Sequence, residues 1–225
     1  MSSVATGYGL KPLNLIGGQA YNGGVIREYR VPGNNSAGIF NGDLVALDTN
    51  GQPASIAATP VAINIPTTSS NATAGIIGVM VGARYVSSGT KQPIWQNYLP
   101  ANTYTGGAVS GTEIWIQVMD DPDALFQVKA NGTIGTYKSG SAGSKWYATV
   151  GKNSALATFS SGSATTGVSG MVLDIGGDNA GSLAATSTLA CRIVDVVRGT
   201  ESDAYSEFVV KLNLGVHSYY NPLGM

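Results

Sequence analysis

The chain has 225 residues, of which only 11% are charged, and twelve basic against thirteen acidic side chains leave a formal net charge of −1. That balance excludes the positive field that draws a protein to nucleic acid or to an anionic membrane. With charged residues well below the roughly 25% of an average soluble domain, the surface must be built mostly from uncharged polar groups.

Cys191 is the one cysteine, so no disulfide forms within the chain. No stretch approaches the roughly 20 apolar residues that cross a bilayer as a helix. The opening residues lack a basic region followed by an apolar one, which leads to an expectation of synthesis and assembly in a cytoplasm. Glycine is abundant, at 31 residues, and the remaining polar positions are mostly Ser, Thr and Asn. These residues favour turns and strand faces over helix interiors. The expected fold class is therefore all-β: a single barrel-like or sandwich-like domain of short strands over residues 35–214, with an extended N-terminal arm (1–34) and a C-terminal tail (215–225).

Residues 1–34 show no sustained period but carry Tyr8, Leu10, Pro12, Leu13, Leu15, Ile16 and Tyr21 among repeated glycines. A stretch with apolar anchors and too little pattern to bury them on itself is expected to lie across another surface; the alternative is a disordered terminus. Residues 25–31 read as an edge strand ended by Pro32 and Gly33. The run Ile39-Phe-Asn-Gly-Asp-Leu-Val-Ala-Leu47 places a strand from Leu44 behind the turn-forming Asn41, Gly42 and Asp43, and Asn50-Gly51 supplies a hairpin turn after it. Val61, Ile63 and Ile65 alternate as in a half-buried strand between two prolines.

Residues 76–86 form a strong strand pattern interrupted by Gly78 and Gly82, which mark a bulge or a close backbone approach. Residues 92–100 hold Trp95 and Tyr98 between prolines and read as a surface loop that docks on a neighbour. Strands are expected at 113–119 and 125–129, separated by a turn at Asp120, Asp121, Pro122 and Asp123. Residues 135–170 look like a loop-rich excursion of small residues with strands only at 146–150 and 155–159. The segments 170–175, 189–197 and 207–214 are expected to pair with the opening hairpin and with 76–81, closing one sheet system. No helix is expected beyond a single turn at Asp121-Pro122.

Reactive groups are few. His217 is the only histidine and lies in an aromatic tail, where a contact role fits better than catalysis. Cys191 has apolar neighbours on an inner strand, where a thiol behaves as a small hydrophobe with a normal or raised pKa. Asp120, Asp121 and Asp123 lack the spacing of a calcium loop and read as a turn whose carboxylates accept backbone N–H bonds. Asp174 and Asp178 raise the same question. No phosphate-binding glycine motif is present, and Glu113 with Asp120 lacks any spacing that would define a glycosidase pair. The triplets at Asn34, Asn71 and Asn131 are what chance gives in a Ser/Thr-rich chain. No cofactor and no metal are expected.

Several short blocks resemble one family. They are Ala5-Thr-Gly-Tyr-Gly-Leu-Lys-Pro12, the 39–47 run above, Ala74-Gly-Ile-Ile-Gly-Val-Met-Val-Gly82, Asp120-Asp-Pro-Asp-Ala-Leu-Phe-Gln-Val128 and Gly215-Val-His-Ser-Tyr-Tyr-Asn-Pro222. Together they are similar to the capsid decoration, or cement, proteins of tailed bacteriophages, particularly those of aquatic phages. The resemblance implies a non-enzymatic, all-β structural protein on the outer surface of the virion head. Such a protein bridges neighbouring major capsid subunits and self-associates, as a trimer in preference to a dimer. It carries over no active site, and residues 135–170 match nothing in the family. The interface side chains expected on this reading are Tyr8, Leu10, Pro12, Leu13, Trp95, Tyr98, Tyr219 and Tyr220, with the terminal arms adding strands to a neighbour. The alternative is a tail-fibre or spike module whose Trp95, Tyr98, Trp146 and Tyr147 stack against host glycans.

Overall fold

Turn residues at both ends of each apolar run cut this chain into short strands. The computed structural model describes residues 4–16, 26–31, 38–47, 53–55, 76–134, 149–176, 183–185, 187, 189–201, 203–215, 217, 219 and 220. In chain order the strands are β1 (Lys11–Leu15), β2 (Ile26–Arg30), β3 (Ile39–Phe40), β4 (Leu44–Leu47), β5 (Pro53–Ser55), β6 (Ile76–Val86) and β7 (Pro93–Gln96). They continue with β8 (Tyr98–Leu99), β9 (Trp115–Met119), β10 (Ala124–Lys129), β11 (Asn153–Thr158), β12 (Met171–Asp174), β13 (Cys191–Val196) and β14 (Glu207–Leu212). A single π-helical turn spans Thr103–Gly107.

Two antiparallel sheets carry the fold. The first runs β1-β10-β14-β13-β11-β12 and the second β2-β9-β6-β4-β5, with β7 paired to β6 and a separate β3-β8 ribbon. Period-two alternation decides which side chains go inward. Phe126 and Val128 of β10 stand opposite Val210 and Phe208 of β14, and all four are buried. They share one core with Leu44, Val79 and Met119 of the second sheet, so the two sheets pack face to face as a sandwich.

Strand β6 is apolar on both faces because both are covered. Ile76 and Val79 enter the shared core, while Ile77 and Met80 enter a second core with Ile39, Leu99, Ile116 and Val118. The glycines of β6 do what glycines in a strand are expected to do. A Cβ on Gly78 would collide with the carbonyl oxygen of Met119, and the β6–β9 register shifts between Met80 and Gly82.

The sandwich reading holds and the barrel alternative does not. Gly9 N donates to the Met171 carbonyl (3.1 Å) and Asn131 N to the Leu173 carbonyl (3.0 Å), so the free side of β12 curls back toward the chain beside β1 and β10. Among the described residues these isolated contacts do not extend into a ladder, and the sheet stays open.

Four expectations are corrected. The segments around β12, β13 and β14 pair with β11, with one another and with β10 rather than with the opening hairpin; the inward row of β14 matches Phe126 and Val128. Residues 92–100 are not an irregular loop: Pro93–Gln96 forms a hairpin with β6, and its prolines are tolerated at the sheet edge. Within 135–170 the strand expected at 155–159 is present as Asn153–Thr158, but it is an interior strand of the first sheet rather than part of an outward excursion. The extended arm expected over 1–34 is in part the domain's own sheet: β1 pairs with β10, Leu10 is fully buried in the shared core, and Lys129 Nζ donates to the Val4 carbonyl at 3.1 Å. The pairing of β4 with β5 agrees with the hairpin at Asn50-Gly51, whose turn lies outside the described residues, as do the strand expected at Val61–Ile65, Tyr21 and Asp178.

One turn ties these parts together. Gly42 N donates to the Met80 carbonyl, Met80 N to the Asp43 carbonyl and Leu10 N to the Gly42 carbonyl, each at 2.9 Å. Asn41 N donates to the Gly167 carbonyl and Ser169 N to the Asn41 carbonyl, again at 2.9 Å. Gly42 has φ +91°, and a Cβ there would lie 2.9 Å from the Tyr8 carbonyl oxygen and 3.1 Å from Gly9 Cα. Gly199 has a similar φ of +89° with open space around it. Gly42→Ala is expected to cost on the order of 2–3 kcal/mol and Gly199→Ala about 1 kcal/mol, since only the first adds backbone collision to left-handed strain. Urea unfolding of the two variants checks the difference.

Candidate interaction surfaces

The residues expected at an interface fall on three parts of the fold. Tyr8, Pro12 and Leu13 belong to the β1 end of the first sheet, Trp95 and Tyr98 to the β7–β8 stretch of the second, and Tyr219 and Tyr220 to the tail beside β2 and β9. Leu10 is corrected: its side chain is sealed in the core and offers nothing to a partner.

At the β1 end, Leu13 and Ile16 are 40% and 50% exposed on an edge strand. Pro12 removes a donor from that edge, and a register shift between Pro12 and Leu15 bends it. Both are devices that discourage unspecific strand addition. What this end offers is side chains. A groove of about 500 Å³ opens here, lined by Ile16, Val194, Leu212 and Leu214, with Arg192 and Lys211 among its polar groups. Tyr8 is half-buried, with the Lys11 ammonium 5.3 Å from its ring centroid. Burial, and then the charge of Glu207, hold its phenol protonated well above the ordinary tyrosine range.

The tail is folded onto its own domain rather than left free. His217 bridges Ile76 in parallel, occupying the side of β6 that β9 leaves when it ends at Met119. The ring is fully buried, and its Nδ1 accepts from Tyr219 N at 3.3 Å, which fixes the neutral tautomer. Burial pushes its pKa down, against the opposing pull of the Asp120 and Ile77 carbonyls. Tyr219 donates to Tyr29 Oη (2.6 Å), because the single Tyr29 proton goes to Asp120 Oδ2 (2.6 Å). Arg27 Nε stands 3.1 Å from the same Asp120 oxygen. Burial and then the bond to Asp120 raise the Tyr29 pKa, so its phenol stays protonated at any physiological pH. Tyr219 and Tyr220 present half their surfaces to a cleft of about 440 Å³ that Asp121 and Asp123 also line.

Among the described residues, the groups considered for chemistry have structural tasks. Asp120 holds Tyr29 and Arg27, and Asp121 Oδ1 accepts from Asp123 N at 2.8 Å, the turn expected from the sequence. Asp174 Oδ1 accepts from Asn131 Nδ2 and Gly176 N. Glu113 faces Arg30 at 3.5 Å rather than Asp120. Cys191 is buried and its pKa is pushed up to about 12, so the thiol is inert. Among the described residues no group of three or more His, Cys, Asp or Glu is placed to hold a metal, and no helix is long and apolar enough to cross a membrane.

The third surface was only half visible in the sequence. Trp95 is 62% exposed, whereas Tyr98 is partly covered, stacked on Phe40 with centroids 5.4 Å apart. Trp146 and Tyr147 lie outside the described residues. Sequence reading missed the neighbours of Trp95. Arg84 of β6 lies between Trp95 and Trp115, 5.6 and 5.3 Å from their ring centroids. Trp115 and Arg84 each interrupt an apolar strand at an outward position, and that was the available signal.

Comparison of the chain with protein-family models, with curated proteins and with solved structures finds no match.

Asp43 gives a pH test of the central turn. Its side chain is buried, Oδ2 accepts from Phe40 N at 2.7 Å, and Oδ1 has no partner. Burial raises its pKa to about 6 from the ordinary 3.8. Between those values the folded chain holds a proton that the unfolded chain has lost, so the contribution of Asp43 is full below about pH 4 and falls as pH rises through 6. Asp43→Asn keeps an acceptor for Phe40 N and removes the titration. Relative to wild type it is expected to gain roughly 2–3 kcal/mol between pH 4 and pH 7, measured by urea unfolding at each pH. Taking the difference cancels the opposite slope contributed by His217.

Proposed function

We propose that this chain is a non-enzymatic structural protein of a phage virion, seated on the outer surface of the head. There it bridges neighbouring major capsid subunits and associates with copies of itself, as a trimer in preference to a dimer. The observation that carries the reading is the β1 end of the first sheet. Ile16 and Leu214 stay exposed along an apolar groove with cationic side chains, and Leu13 is exposed on the adjoining strand, in a protein poor in charge. Apolar side chains left at one place on a domain with a complete core mark a surface that a partner covers.

Two further features support it. The buried carboxylates, the thiol and the imidazole serve the fold, and the sequence blocks that resemble cement proteins fall on elements that set its architecture: β1, the 41–43 turn and β6. A tail-fibre or spike module is the second reading, favoured by the exposure of Trp95.

Point variants test the proposal better than truncation, because removing residues 2–16 would also remove Leu10 from the core. Leu13→Asp combined with Ile16→Asp is expected to leave the unfolding midpoint unchanged and to reduce occupancy on heads at least ten-fold. Head survival under heat or osmotic shock should fall with it. Unchanged occupancy and survival would refute a head-binding role for this surface, and immunogold labelling of intact particles separates head surface from tail tip.

A further inference from the structure

The exposed end of the second sheet carries a cross-strand row of alternating guanidinium and indole groups. Pairing places Arg30 opposite Trp115, Trp115 opposite Arg84 and Arg84 opposite Trp95, so the four side chains share one face. Glu28 grips Arg84 through two bonds, Nε to Oε1 at 2.8 Å and Nη2 to Oε2 at 2.7 Å. Those bonds hold the Glu28 carboxyl below its ordinary range. The guanidinium is fixed in orientation by the fork, and the two indoles are fixed by the guanidinium. Trp95 is thus an aromatic plane with little freedom to lose, lying on a strand that pairs on one side only.

Charge decides what such a plane can take. Glu28 pairs with Arg84 and Glu113 with Arg30, so two cations and two carboxylates cancel across the face. An anionic polymer finds no net attraction there. A ligand cation finds the space between the indoles already filled by Arg84. Beside the row, Gly82 leaves a notch into which the Gln117 side chain reaches, its Oε1 standing 2.8 Å from where a Cβ would be. The face therefore combines one flat apolar surface with a neutral set of hydrogen-bonding groups on the neighbouring strands.

We propose that this face binds neutral glycans. A pyranose would lay its C–H face on the indole of Trp95 and direct hydroxyls to Glu28, Gln117 and Arg84. Pyranoses match this chemistry because they are apolar on one face, rich in hydroxyls at the rim and uncharged. The site is distinct from the β1 groove and does not depend on what covers that groove.

An array printed with neutral, sialylated and uronate-bearing glycans, probed with the full chain, tests the proposal. Calorimetric titration with the best-retained neutral glycan follows. Retention of neutral glycans is expected, with affinity reduced at least ten-fold in Trp95→Ala and in Arg84→Lys. The unfolding midpoint of Trp95→Ala should stay within a degree or two of wild type, since the side chain is mostly exposed. Absence of any retained neutral glycan, preference for the acidic ones, or binding that survives Trp95→Ala would overturn it. Occupancy of Trp95→Ala on heads, measured alongside, keeps the two proposals apart: loss of glycan binding with normal occupancy isolates this face.

Discussion

Everything else in this fold is built around a backbone turn of three residues, Asn41, Gly42 and Asp43. Their amides and carbonyls receive bonds from the segment before β1, from the middle of β6 and from the loop before β12, stretches far apart in sequence. Buried backbone groups left unpaired are costly, so each of these segments is held where the turn can reach it. Gly9, with φ +71°, packs against Gly42 so closely that neither position has room for a side chain. Two backbones at that separation bring the two sheets within reach of one shared core. Asp43 contributes a cap to Phe40 N at the expense of a buried carboxyl. That is a local cost accepted for a turn on which several strands depend.

The scarcity of charge has a structural counterpart. The few ionic groups are mostly committed to one another or to the backbone: Arg27 with Asp120, Arg30 with Glu113, Arg84 with Glu28, Lys211 with Asp123. Most of these pairs are exposed and contribute little to stability. Their effect is to leave surfaces with little net field, on which contact is governed by shape, apolar area and hydrogen bonds. The Trp95 face is such a surface, an aromatic plane in a neutral surround. The β1 groove differs in kind, an apolar channel with Arg192 and Lys211 at its wall.

The tail and the N-terminal segment show why composition alone misjudged the termini. Apolar anchors without regular spacing imply, on composition alone, a need for another molecule's surface. In the fold, Leu10 and His217 are buried within the chain itself, Leu10 next to the central turn and His217 on the part of β6 that β9 leaves uncovered. Irregular spacing here reflects single residues dropping into separate sites of one domain. The exposed remainder is Leu13, Ile16, Tyr219 and Tyr220.

The all-β class, the positions of β6, β9, β10 and β14, the glycine-marked irregularities of β6 and the inert character of Cys191 were legible in the residues alone. They follow from local rules: period-two alternation, turn chemistry and the burial of a thiol among apolar neighbours. Which strands pair was not legible, because many apolar strands of similar length satisfy the same alternation, and only the mutual fit of inward rows such as Phe126 with Val210 selects a partner. The Trp95–Arg84–Trp115 row likewise existed only after β6 had found β7 on one side and β9 on the other. Side chains on three strands become neighbours through register, a property of the assembled sheet that no single stretch of chain contains.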